Sequence, residues 1–100
     1  MPLLSSMQPA PNVLANDLAE RVLAVTALLP VTMQPVFATW LARHSDRAIL
    51  NPNRDSLSTW FSGMQPKKAE LEYGFILARI GWMELIAEST QIDLQQAEAL

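Results

Sequence analysis

Residues 66–89 constrain this 100-residue chain more than any other segment. Laid out at 100° per residue, they form one long helix with apolar side chains on two opposite faces. Leu71, Phe75, Ala78, Trp82, Leu85 and Ile86 fall in one stripe. Tyr73, Ile76, Ile80 and Met83 fall in the other, with Leu77 at its margin. A surface helix of a small domain needs one such face, so the second requires a cover. Burying Tyr73, Ile76, Leu77, Ile80 and Met83 is worth roughly 7–15 kcal/mol, comparable to the whole stability of a domain. Either the chain's own helices sandwich this helix from both sides, or a second chain covers one of them.

Small residues suggest which face is which. Gly74, Ala78 and Gly81 share one edge of the first stripe, and each glycine costs a helix about 1 kcal/mol relative to alanine. A tight helix crossing inside the core is the ordinary reason for such glycines. The first stripe is therefore expected to meet the chain's own helices. The opposite one, centred on Ile76 and Ile80, is expected to bind a partner through Tyr73, Ile76, Leu77, Ile80 and Met83.

The rest of the chain reads as shorter helices. Residues 1–11 contain Pro2, Pro9 and Pro11 and form a flexible lead-in; residues 12–100 form a single helical domain. Asn12 is a candidate N-cap for a first helix ending near Leu29, with Leu14, Leu18, Val22, Val25 and Leu29 on one face and Pro30 as its stop. Thr32 can cap a second helix, with Pro35 tolerated in the first turn, through Met33, Phe37, Trp40, Leu41 and His44. Asn51-Pro52-Asn53 is a break. Asp55 or Ser56 then opens a third helix carrying Leu57, Trp60 and Phe61, closed by Gly63 as a C′ residue. Pro66 suits the first turn of the long helix. Thr90 with Asp93 resembles a capping box and restarts a last short helix. No segment alternates with a period of two. The predicted fold is all-α, a compact bundle of four to five helices with a long central helix at about 66–89. Met-Gln-Pro occurs at 7–9, 33–35 and 64–66, each time ahead of a helix; proline opens helices, and the methionine and glutamine read as incidental.

Composition narrows the function. Charged residues make up 17% of the chain, against about 25% in a typical domain, so the surface is expected to be unusually apolar. The net charge is −3. Residues 51–100 hold seven acids and four bases, and residues 1–50 three of each. Glu72, Arg79 and Glu84 interrupt the long apolar helix, so no membrane span is expected. Nothing at the N-terminus resembles a secretory signal, and cysteine is absent. These features point to the cytoplasm.

No catalytic constellation emerges. His44, Ser45 and Asp46 carry the residue types of a triad, but neighbours on a helix point about 100° apart and cannot form its relay. Glu84 and Glu88 lie four apart without the histidines that a bundle metal site needs. No metal and no cofactor is expected, and three glycines cannot build a phosphate loop. Arg43, Arg47 and Arg54 form the one basic cluster, a candidate site for an anion or an acidic partner. The leading expectation is a non-enzymatic protein–protein interaction module: an adaptor, a chaperone-like subunit or a self-associating protein. The alternative is a DNA-binding helical regulator using the Arg43–Arg54 region. The acidic whole and a short third helix at Asp55–Ser62 with no Arg or Lys both count against nucleic acid.

Overall fold

Four helices and no strand occupy the described residues of the computed structural model, which run from 11 to 99, with side chains described for 12–89. They are α1 (Pro11–Thr26), α2 (Gln34–His44), α3 (Arg54–Ser62) and α4 (Pro66–Ala99). The all-helical expectation holds among these residues. The flexible lead-in expected at residues 1–11 lies outside them, apart from Pro11, which already belongs to α1.

Alanine and β-branched residues set how α1 packs. Ala15, Leu18, Ala19 and Val22 repeat at helical spacing and are all buried. Leu14 and Val25 are only partly covered, so the contact centres on small side chains. The helix stops at Thr26, three residues short of the expected Leu29. There the Thr26 hydroxyl donates to the Val22 carbonyl at 2.7 Å, and tighter turns follow through Ala27, Leu28 and Leu29. Leu29 is buried as a plug below the helix end.

The start of α2 is held by backbone and a glutamine rather than by Thr32. Met33 occupies the cap position without a side-chain bond. The Met33 N–H donates to the Pro30 carbonyl at 2.8 Å, and Gln34 Nε2 donates to the Leu29 carbonyl at 3.2 Å. Met33 and Met64 both pack on the core. In these two Met-Gln-Pro tripeptides the methionine is thus an anchor ahead of its helix; the tripeptide at 7–9 lies outside the described residues. Phe37 and Leu41 are the buried residues of α2.

A Schellman motif closes α2. The Arg47 N–H donates to the Ala42 carbonyl at 2.6 Å and the Asp46 N–H to the Arg43 carbonyl at 3.1 Å, the paired bonds of that motif. It places Asp46 (φ 53°) and Arg47 (φ 65°) in the left-handed region without a glycine. Ser45 is the buried polar residue beside it. Its hydroxyl accepts the Ile49 N–H at 3.1 Å, which lets fully buried Ile49 enter the core with its amide satisfied.

Asn53, not Asp55 or Ser56, caps α3. Its Oδ1 accepts the Ser56 N–H at 2.9 Å, and Ser56 Oγ accepts the Asn53 N–H at 3.0 Å, a reciprocal capping box. Leu57 and Phe61, one turn apart, enter the core. Gly63 ends the helix at φ −77°, so the left-handed freedom expected of it is not used. The Ser58 hydroxyl donates to Asn16 Oδ1, tying α3 to α1.

Helix α4 spans 34 residues, about 51 Å at 1.5 Å per residue, and contacts each of the other three helices. It passes through Thr90 and Asp93 unbroken, so the expected restart does not occur. Neither residue is a breaker, and no proline or glycine follows Gly81. Ala69, Ile76, Ile80 and Met83 are its buried residues, joined in one cluster with Ala15, Ala19, Val22, Phe37, Leu41, Leu57 and Phe61.

Candidate docking surface

The two stripes of α4 exchange the places expected of them. Ile76 and Ile80 are sealed inside at 0% and 1% exposure, Met83 is buried, and Tyr73 and Leu77 are half-buried. The residues expected to meet a partner thus form the chain's own core. On the opposite side Leu71, Phe75, Trp82 and Leu85 stand 59%, 50%, 56% and 57% exposed, and Ile86 is also exposed. A Cβ added at Gly74 or at Gly81 would meet nothing within 4 Å. Among the described residues, therefore, neither glycine serves a helix crossing. Close approach in the core comes instead from Ala15 and Ala19 of α1.

Helix α2 builds a wall along one edge of this face. Trp40 and His44, one turn apart, stack with ring centroids 4.7 Å apart at 14°. Arg79 of α4 lies over the other part of the wall, its Cζ 5.1 Å from the Trp40 ring centroid, a cation–π arrangement. His44 Nε2 and Glu72 Oε2 are 2.6 Å apart, with the two side chains 27% and 17% exposed. Phe75 meets the His44 ring edge-on at 6.4 Å, and Trp60 of α3 does so at 6.1 Å. The result is a groove of about 550 Å³ between α2 and α4, lined by Trp40, His44, Phe75, Ala78, Arg79 and Trp82. It is aromatic on floor and wall and carries one ion pair and one cation at its rim. Such a surface offers area and orientation to an apolar partner, and no nucleophile–base pair.

The other sequence candidates do not join it. Ser45 Oγ bonds its own backbone and His44 bonds Glu72, so His44, Ser45 and Asp46 form no relay. Arg43 lies in the last turn of α2, Arg47 sits in the Schellman turn, and Arg54 begins α3. Arg54 Nε pairs with Glu20 Oε1 at 3.0 Å, which draws it toward α1. Glu84 and Glu88 line a shallow groove with Leu28, Pro30 and Ala87. Among the described residues no three His, Asp or Glu side chains are grouped as a metal site would need, and no helix is long and apolar enough to cross a membrane.

Trp40, Glu72 and Arg79 had no functional place in the sequence reading. The available signal was the aromatic content of the Phe75–Trp82 stripe. Tryptophan and phenylalanine beside glycines describe a contact surface as readily as a core.

No protein-family model matches the chain, and comparison with curated proteins and with solved structures finds no significant similarity.

Proposed function

We propose that this chain is a small helical interaction module, a bundle with α4 as its spine, without catalytic activity of its own. It docks a partner through the open face of α4 and the aromatic groove beside it. The observation that carries this reading is the row Leu71, Phe75, Trp82 and Leu85, each at least half exposed on one helical face. Their exposed surface, roughly 500 Å², holds on the order of 10 kcal/mol of transfer free energy at about 25 cal/mol per Å². A row of this kind marks an interaction site more often than idle surface. The partner-binding role thus moves from Tyr73, Ile76, Leu77, Ile80 and Met83 to the opposite stripe. The Arg43–Arg54 region supports the nucleic-acid alternative less well, since Arg54 pairs with Glu20, Asp46 lies between Arg43 and Arg47, and Asp55 follows Arg54.

Photo-crosslinking in the native host tests the reading. A photoreactive phenylalanine analogue at position 75 or 82 should yield discrete adducts. The same probe at Leu50, which is 69% exposed on the turn between α2 and α3, should not. Positions 75 and 82 without any adduct would sink the proposal.

A further inference from the structure

We infer that the occupant of this face is a second copy of the chain, bound through an antiparallel contact between the two α4 helices with a two-fold axis beside Ala78. The inference rests on the docking reading above and adds the partner's identity.

The exposed face can be centred on Ala78, with a leucine at either end. Counting outward, Gly74 and Trp82 lie four positions away on either side, Phe75 and Gly81 three, and Leu71 and Leu85 seven. In an antiparallel pair centred there, residues equally distant in opposite directions meet at one level. Leu71 then lies level with the partner's Leu85, and Trp82 with the partner's Gly74, one residue from the partner's Phe75. At 100° per residue Phe75 and Trp82 share one edge of the face, and Gly74, Ala78 and Gly81 share the other. A two-fold axis between antiparallel helices sets like edge against like edge. Aromatic rings therefore stack along one side, while the glycine edges close together along the other. The open space around both glycines, which no contact among the described residues explains, is what such a close approach requires.

Charge selects the orientation. Exposed Lys67 and Lys68, followed by exposed Glu70, stand at one end of this stretch of α4, and exposed Glu88 stands at the other, on the seam beside the open face. The antiparallel arrangement brings each lysine pair level with the partner's Glu88. A parallel one would oppose lysine to lysine and glutamate to glutamate. Opposed helix dipoles favour the same choice. The area is also adequate. The four large side chains leave roughly 500 Å² of apolar surface in solvent. The glycine edge and the lysine stems extend it toward the ~800 Å² per partner of a standard interface.

The full chain contains no cysteine, so single cysteines report the geometry directly. Ala78→Cys should form a disulfide-linked dimer under mild oxidation. Leu85→Cys alone should not, yet mixed with Leu71→Cys it should give the mixed disulfide. Sedimentation equilibrium should show a dimer that Trp82→Glu weakens roughly 30-fold or more, as loss of a central aromatic anchor does. Gly74→Leu, which fills the close approach without touching the single chain's core, should abolish the dimer and leave the helical circular dichroism intact. A wild-type chain that stays monomeric at millimolar concentration overturns the inference. So does Leu85→Cys linking to itself as readily as Ala78→Cys. Dimerisation that appears only after removal of residues 1–10 assigns the face to that segment and likewise overturns it. A monomer whose position-82 probe captures a discrete protein of another mass overturns the second copy alone and leaves the docking reading standing. A monomer with no adduct ends both.

Discussion

The buried face of α4 is lined by Ala69, Ile76, Ile80 and Met83, and the open face by Leu71, Phe75, Trp82 and Leu85, so the stripe with the larger aromatic surface is the one left in water. Apolar area alone would have chosen the reverse. The difference lies in what the rest of the chain offers. Helix α1 presents Ala15 and Ala19, and α3 presents Leu57 and Phe61. Slender, branched isoleucines fit among small alanines at the density of a protein interior, and an indole at position 80 would not. The core selects for fit, and the remaining apolar face is left with the features of an interface: aromatic rings, a cation at the rim and open glycines.

The largest effect that can break this comparison is a matched pair of charge insertions. Ile80→Glu places a carboxylate at a 1% exposed core position and should cost about 4 kcal/mol or more, enough to unfold most of the population. Trp82→Glu, two residues along the same helix, should leave the thermal midpoint of a dilute sample within a few degrees of wild type. Chemical and thermal denaturation followed by circular dichroism measure both. Comparable destabilisation by the two variants would show that the open face is part of the fold.

Part of this was legible in the sequence. Periodicity placed helices over Leu14–Leu29, Met33–His44, Leu57–Phe61 and Leu71–Ile86, the first of them running three residues too far, and the two-faced character of residues 66–89 is real. Which face turns inward was not legible, because that depends on Ala15 and Ala19, some sixty residues away; local spacing carries no information about which distant surface a stripe will meet. The glycines misled for the same reason. A small residue permits close approach without saying whose backbone approaches. Asn53 was hidden by its place in Asn51-Pro52-Asn53, where proline announces a break and masks the cap immediately after it. Thr90 erred in the other direction: a capping pattern ends a helix only where something also stops the one before it.

A middle-sized effect tests the alanine side of the comparison. Ala19 is fully buried on α1, and Ala19→Leu inserts three heavy atoms into the core cluster. Overpacking should cost about 1–3 kcal/mol, a fall in midpoint of roughly 4–8 °C per kcal/mol for a domain of this size. Ala78→Leu, an alanine-to-leucine change on the open face, adds apolar bulk with no core to disturb. It should leave the midpoint of dilute protein nearly unchanged. If Ala19→Leu were tolerated as well as Ala78→Leu, fit to α1 could not be what turns Ile76 and Ile80 inward.

The smallest effect has the opposite sign and discriminates most finely. Gly74 and Gly81 sit in the interior of α4, where each costs helix stability, and an added Cβ meets nothing at either. Gly74→Ala and Gly81→Ala should therefore each stabilise the isolated chain by up to about 1 kcal/mol. Glycines that served the intramolecular core would respond with a loss instead. Measured at low concentration, the thermal midpoint should rise with each substitution, and the two gains should add, since the sites lie two turns apart and share no partner. In the proposed dimer the same methyl groups would stand between the two helices, so at high concentration the stabilised chain should self-associate more weakly than wild type. A chain that gains stability alone while losing it in company places the reason for these glycines outside its own fold.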